Sequence, residues 1–507
     1  MNHLKVLAAS NIMAELSADT YYANQEYRER KQLLAGLGVT GFCVFRGELE
    51  ATKKMIAELQ EIAEDRLIFS GDFEYGLPMR LVGGGTAFPH PMALGKNDDN
   101  LQTYKIARLN ARECKHIGVT WNFAPVVDIN SNPKNPIINI RSFGEDKLTV
   151  SKHSSAFIKG LQDEGVLATA KHFPGHGDTE VDSHMALPTL PFSKERLEVI
   201  ELFPFKKAIE NGVRSIMIGH LSVPSLDDTG MPASLSPVII GLLREELEFD
   251  GLIVTDALRM KAISERYGSG LACELALRAG NTIALMPEDE MEAIMYLADV
   301  AKSDIEFSKV LETNRIKFEK LSIIEADKNS KSEVNNLHEK VALQSAFKAL
   351  IINDKNTNLP LDTNKKIASF AFLQHEKDLE NASTFFHLLQ QAFEKDVDFG
   401  FLDQNIETND LIELKQGIHD AEILVFAFFF KAMDSSGTVG DYSLFRPIVE
   451  RLAEGREYIC ISLGSPYIFE GEHVGTTILT YSDSLSSQAA SIMSLLGRDL
   501  KDMNADI

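Results

Sequence analysis

VLATAKHFPGHGDTEVDSH, residues 166–184, opens as an apolar, β-branched run. It closes as a loop in which Lys171, three histidines, Asp178, Glu180 and Asp182 crowd around two glycines and a proline. An apolar run of this length, stopped by Pro and Gly, reads as a buried strand. The same build recurs in VTGFCVF (39–45), LIFSGDF (67–73), NFAPVVDI (122–129), SIMIGHL (215–221), GLIVTDAL (251–258) and NTIALMP (281–287), with longer amphipathic stretches between. That βαβα rhythm is the signature of a parallel sheet or barrel covered by helices. Nearly all the runs carry their polar residues at the end: Asp72 and Glu74, Asp128, Lys171 and His172, His220, and Asp256. In a (β/α)8 barrel the C-terminal strand ends share one mouth, so this placement gathers scattered residues into one candidate site.

Helix signals fill the gaps. SKERLEVIELFPFKKAIENG (193–212) predicts a start at a Ser193 cap, a stop at Gly212 and a break at Pro204. The polar stretch EADKNSKSEVNNL (325–337) predicts a boundary, dividing the chain into residues 1–330 and 331–507, with structure resuming at LHEKVALQSAFKALII (337–352). Beyond it KIASFAFL (366–373), ILVFAFFF (423–430), YICISLG (458–464) and TTILTYS (476–482) read as buried strands alternating with helices such as SLFRPIVERLAEG (443–455). The expected fold class is α/β: an N-terminal (β/α)8 TIM-like barrel followed by a C-terminal α/β sandwich domain.

The chain's 507 residues exceed what a single core usually organises, in keeping with two domains. A balance of 51 basic against 74 acidic residues, net charge −23, opposes nucleic-acid binding and suits a small ligand. Cys43, Cys114, Cys273 and Cys460 are dispersed, which predicts buried thiols rather than disulfides or a thiolate zinc site. Residues 1–26 hold no apolar core of secretion-signal length and no later run is long enough to span a bilayer, so a cytoplasmic protein with no membrane partner is expected. Nothing in the sequence fixes an oligomeric state.

Three readings compete for the opening stretch. His172 and His176 have the four-residue spacing of two metal ligands on one helix face, but Pro174, Gly175 and Gly177 break a helix there. A phosphate cradle would need G-x-x-x-x-G-K-[ST], which is absent. No metal and no cofactor is expected. The third reading is a loop carried over the barrel mouth, with its glycines and proline making the turns. In a locally extended chain Asp182 and His184 point to one side, so the carboxylate can orient the imidazole as a proton donor and acceptor. The alternative is a loop histidine beside an acid. Asp256, ending an apolar strand, suits a carboxylate nucleophile; its alternative is an N-cap for ALRMKAISERYG (257–268).

KHFPGHGDTEVDSHMALP (171–188), ELFPFKKAIENGV (201–213), IMIGHLSVPSLD (216–227), PASLSP (232–237), LLREELEFDGLIVTDALRM (242–260) and ALRAGNTIALMP (276–287) together resemble, in order, the N-terminal barrel of glycoside hydrolase family 3. The D-S-H version is similar to its bacterial β-N-acetylglucosaminidase branch. The likeness runs from DFEYGLPMR (72–80) through Pro287, and SAFKALII (345–352) and LGSPYIF (463–469) resemble the family's second domain.

The resemblance implies a retaining, exo-acting hydrolase of terminal β-linked N-acetylglucosamine, with a role in peptidoglycan recycling. Asp256 is then the nucleophile and His184, oriented by Asp182, the acid/base. Asp72 and Arg80 match the family's hydroxyl-binding pair, Arg141 in RSFGED its arginine, and Lys171 with His172 its K-H pair. The partner implied is a small carbohydrate. Two features depart from the pattern: Thr282 stands where an A-G-x-D turn has an acid, and Tyr75 where a glycine is common, both expected near the mouth. The Gly/Ser-rich SSGTVGDY (435–442) reads either as a loop reaching over the site or as a solvated connection. Other readings are a β-glucosidase or β-xylosidase of the family, a glycoside phosphorylase, and an inactive sugar-binding protein.

Overall fold

The computed structural model describes residues 2–179, 187–322, 336–355, 359–402, 406–432, 439–472 and 474–499. Eight parallel strands form the first sheet: β1 (Ile12–Ser17), β2 (Gly41–Glu48), β3 (Ile68–Gly71), β4 (Trp121–Asn122), β5 (Leu167–Phe173), β6 (Ser215–Ile218), β7 (Leu252–Thr255) and β8 (Ala284–Leu285). Their order is β7-β6-β5-β4-β3-β2-β1-β8, and a parallel bridge from Val254 to Ile283 brings β7 against the entry to β8, closing a barrel. A two-residue strand, Leu81–Val82, pairs with the end of β2.

The unbroken apolar runs are explained by burial on both strand faces. On β2, Phe42 and Val44 pack outward with the helices while Cys43 points into the barrel; on β7, Ile253 packs outward and Leu252 and Val254 inward. Each fully buried aliphatic side chain of this kind contributes about 1.5–3 kcal/mol. Met13, Ile68, Leu167, Met217 and Leu285 fill the rest of the barrel interior. Trp121 joins them, its Nε1 donating to Thr169 Oγ1 at 2.7 Å and its ring 5.9 Å from that of Phe318. All four cysteines are buried and free.

Two expectations need adjusting. The first barrel strand, IMAELS, is not among the runs read from the sequence. Thr282 precedes β8 rather than lying at the mouth: its Oγ1 accepts the Ile253 N–H at 3.1 Å, so it serves the seam that closes the barrel. The break at Pro204 is present, with helices Lys194–Val199 and Phe203–Glu210 and Ser193 capping the first.

The second sheet is built from β9 (Ile351–Asn353), β10 (Ile367–Leu373), β11 (Asp398–Leu402), β12 (Ile423–Phe429), β13 (Glu457–Ser462) and β14 (Thr476–Leu479), in the order β9-β14-β13-β12-β10-β11. Of these six, only β9 is antiparallel. Helices cover both faces, with Phe370, Phe426 and Phe428 in the core of one and Ile423, Val425 and Ile459 in that of the other. The helix Asn336–Ala349 lies against both units. His338 Nδ1 is 2.7 Å from the buried Glu113 of the barrel, and Asn97 donates to the Ser345 carbonyl at 2.9 Å. No described helix is long and apolar enough to cross a membrane.

Candidate active site

The ends of β3 and β5 and the loop after β4 converge on one lattice of opposite charges with Glu74 and Lys171 buried at its centre. Lys171, 1% exposed, ends β5 and places Nζ 2.7 Å from Asp72 Oδ1 and 2.8 Å from Glu74 Oε1. Arg80 donates from Nη2 to Asp72 Oδ2 at 2.8 Å and lies over the Phe45 ring. Arg141 grips Glu74 with both edges of its fork, Nε to Oε2 at 2.9 Å and Nη2 to Oε1 at 2.7 Å. A guanidinium matches a carboxylate in this two-point way where an ammonium cannot. Burial alone would raise Glu74, but Arg141 and then Lys171 hold its carboxyl well below the usual range; Lys171 and then Arg80 do the same for Asp72. Burial would lower Lys171, yet Asp72 and Glu74 keep its ammonium above its ordinary value. Asp72, Arg80, Arg141 and Lys171 are thus brought together, with Glu74 at their centre.

Beside this lattice His172 is oriented by Asp128. Its Nδ1 lies 2.8 Å from Asp128 Oδ2, and its backbone N–H donates to the same oxygen at 3.1 Å. Asp128 Oδ1 also accepts the His176 N–H at 2.7 Å, which ties the PGHG turn down to the end of NFAPVVDI. Gly177 is required there because a Cβ would fall 1.7 Å from the Ile129 carbonyl oxygen. His176 Nδ1 is 2.8 Å from Thr179 Oγ1. Among the described residues no group of three or more His, Cys, Asp or Glu is placed to hold a metal.

Asp256 leaves the end of β7 half-buried, its N–H donating to the Ile218 carbonyl and its Oδ1 accepting the Ala257 N–H at 2.8 Å. It does not cap the following helix, which runs Lys261–Tyr267 with Met260 at the cap position. His176 feels the charge of Asp256, so nucleophile candidate and turn share one neighbourhood. His220, behind it, donates from Nε2 to the Ala257 carbonyl at 3.0 Å, which leaves Nδ1 to accept from Ser234 Oγ at 2.7 Å. Asp182 and His184 lie outside the described residues, as do residues 435–438 of SSGTVGDY; Tyr442 of that stretch is buried against Phe428 and Phe469.

Glu74 and Asp128 show in the sequence only as polar run ends. Their roles depend on partners 67 and 44 residues away, Arg141 and His172. The D-x-E spacing is the available signal for Glu74, since alternate residues of an extended chain face the same side.

The buried histidines set a pH limit on the fold. His90, His153 and His176 are each pushed down to about 4, by burial first. An unfolded histidine titrates near 6.5, so between about pH 6.5 and 4 the unfolded chain binds more protons and stability falls as pH falls. The urea midpoint is expected to be level above about pH 7 and to decline through that window, with further loss once Asp72, Glu74 and Asp128 protonate. A midpoint constant from pH 7 to 4 would contradict this.

The chain is similar to several known proteins. Beta-hexosaminidase A of Pseudoalteromonas piscicida is 34% identical over 321 residues, 58% of this chain, and the match spans 53% of that protein's length. A beta-hexosaminidase of Idiomarina loihiensis is 31% identical over 307 residues, covering 58% of this chain and 92% of the relative. The solved glycoside hydrolase family 3 beta-N-acetylglucosaminidase of Paenibacillus sp. str. FPU-7 superposes with a TM-score of 0.84 at 28% identity, covering 97% of this chain and 96% of that one. The family model for the glycosyl hydrolase family 3 N terminal domain matches residues 8–316, the span that holds the barrel and every residue of the lattice: the chain belongs to glycosyl hydrolase family 3.

Proposed function

We propose that the protein is a retaining, exo-acting β-N-acetylglucosaminidase that removes terminal β-linked N-acetylglucosamine. The observation that carries this is the Asp72–Glu74–Lys171–Arg80–Arg141 lattice at the barrel mouth, centred on the buried Glu74 and Lys171, together with a strand-end carboxylate, Asp256, whose charge reaches His176. Directional carboxylate, ammonium and guanidinium groups are the partners sugar hydroxyls need, and the lattice holds them in place before the sugar arrives, which lowers the ordering cost of binding. The relatives named β-hexosaminidase or β-N-acetylglucosaminidase support the choice of sugar.

In the first step an Asp256 oxygen bonds to the anomeric carbon while the glycosidic C–O bond breaks and the leaving oxygen takes a proton. In the second, water loses a proton, attacks the same carbon and expels Asp256. His184, held by Asp182, is the proton donor of the first step and the acceptor of the second. An imidazole in that role avoids the repulsion of two carboxylates about 5–5.5 Å apart. Action on peptidoglycan fragments belongs to the same proposal and rests on the D-S-H likeness.

Rates on nitrophenyl glycosides test the sugar. Release from the β-N-acetylglucosaminide is expected to exceed that from the β-glucoside and β-xyloside by at least about tenfold, the least that a site fitted to one substituent gives. In phosphate buffer the product is expected to be the free sugar. Sugar 1-phosphate would make the enzyme a phosphorylase, and faster glucoside turnover would make it a β-glucosidase.

A further inference from the structure

Tyr75 follows Asp72 and Glu74 directly, where the family commonly has glycine. The turn it sits in has no slack. Its carbonyl accepts the Phe88 N–H at 2.9 Å, and Gly76 next to it has φ +109 with the Thr86 carbonyl oxygen 2.1 Å from where a Cβ would stand. The Tyr75 ring stacks on His90, centroids 4.0 Å apart.

His90 belongs to the barrel, but its ring and its N–H find polar partners in the second domain. Its N–H donates to Ser482 Oγ at 3.2 Å, its Nδ1 lies 2.8 Å from the same oxygen, and Asp483 Oδ1 is 3.8 Å from that nitrogen. Asp483 pairs with Lys431 and accepts from Asn381 Nδ2 at 3.0 Å, while Asp378 Oδ1 lies 3.5 Å from Lys431 Nζ. Lys431 follows β12 and Ser482 and Asp483 follow β14, so this cluster gathers at the C-terminal ends of the second sheet, where strand order reverses between β10 and β12. Burial pushes the Tyr75 phenol up to about 12, so it stays protonated; the charges acting on it are Lys431 and Asp483 first, then Arg80 and Glu74. Tyr75 therefore stands between the sugar lattice and the second domain's cluster.

From these contacts we propose that Tyr75 is a positioning residue of the sugar site, and that the Lys431–Asp483 pair of the second domain, acting through His90, fixes the turn that carries Asp72 and Glu74. The inference rests on reading those two carboxylates as sugar-holding groups. It makes the barrel's binding pocket dependent on the docked second domain, although the pair itself lies outside the lattice.

The test uses the full chain as Tyr75→Gly, Lys431→Met, their double variant, and Lys431→Arg as the conservative control. For the nitrophenyl β-N-acetylglucosaminide, KM is expected to rise about tenfold in each of the first two, with kcat within about threefold, because binding geometry rather than chemistry is disturbed. Lys431→Arg is expected to stay near the wild type, and the double variant to fall short of the sum of the singles. Hydrogen exchange of amides 72–88, measured without substrate, is expected to quicken in Tyr75→Gly and Lys431→Met. Wild-type exchange over 72–88 in both variants, each melting as the wild type does, would overturn the proposal; if Lys431→Met does not fold, wild-type exchange in Tyr75→Gly alone overturns it. An inactive wild type would reject the sugar reading, and the exchange comparison would still decide this one.

Discussion

Asp256→Asn is expected to abolish turnover of the nitrophenyl β-N-acetylglucosaminide, lowering kcat by at least about 10^4-fold, the scale seen when a covalent nucleophile is removed. The substitution is nearly isosteric. The introduced amide keeps an oxygen to accept the Ala257 N–H, the hydrogen bond that Oδ1 makes at 2.8 Å, so the half-buried end of β7 is expected to keep its shape. What is lost is the negative oxygen that must bond to the anomeric carbon, and an amide is a far weaker nucleophile. Two measurements check the prediction together. Melting of the variant should match the wild type, and a fluorosugar that traps the covalent intermediate should label the peptide containing residue 256 in the wild type and nothing in the variant. Retained turnover, or a label on another peptide, would remove Asp256 from the mechanism.

The second large effect falls on Glu74→Gln. Glu74 is fully buried and accepts three charge-assisted hydrogen bonds, from Lys171 at 2.8 Å and from Arg141 at 2.9 and 2.7 Å. Glutamine offers one oxygen in place of two and turns an NH2 toward groups that are themselves only donors. The lattice, three cations against Asp72 and Glu74, would go from one excess positive charge to two, with the loss at its buried centre. Breaking a buried pair from one side costs about 3–5 kcal/mol, and that loss should appear in the urea midpoint. Because Arg141 and Lys171 both turn on Glu74, binding should suffer as well, with kcat/KM falling by at least about 10^2-fold. Arg80→Ala is the internal comparison. Arg80 is partly exposed and its ion pair is with Asp72, at the edge of the lattice, so its removal should cost less stability than Glu74→Gln. Equal stability of Glu74→Gln and wild type would show that the lattice contributes nothing to the fold.

The barrel was legible because its strands after the first are largely buried and write themselves as apolar runs, most of them with a polar end. IMAELS escaped because Glu15 interrupts the run and an apolar helix precedes it, so the window has no clean edge. DFGFL, the edge strand β11, was missed for a related reason: Gly400 sits in its middle and Phe399 and Phe401 are exposed. The site was legible as a set of run ends. Its organisation was not, because Arg141 reaching Glu74 and Asp128 orienting His172 are products of barrel closure that no local pattern encodes. Tyr75 showed in the sequence only as a departure, and its contact with His90 gives the departure a physical setting.

The helix Asn336–Ala349 has a consequence for synthesis. Glu113 is buried in the barrel, where one oxygen accepts the Thr86 N–H at 2.9 Å and the other meets His338. When the ribosome has made only the barrel's strands and their helices, that carboxylate still lacks His338 and the groove that takes the helix is open. The barrel's surface is completed only once the chain has grown to about residue 349, after which the helix also offers a ready-made face for the second sheet to settle on. The barrel's surface is thus completed by a segment made after its own strands and helices, which ties the folding of the two units together.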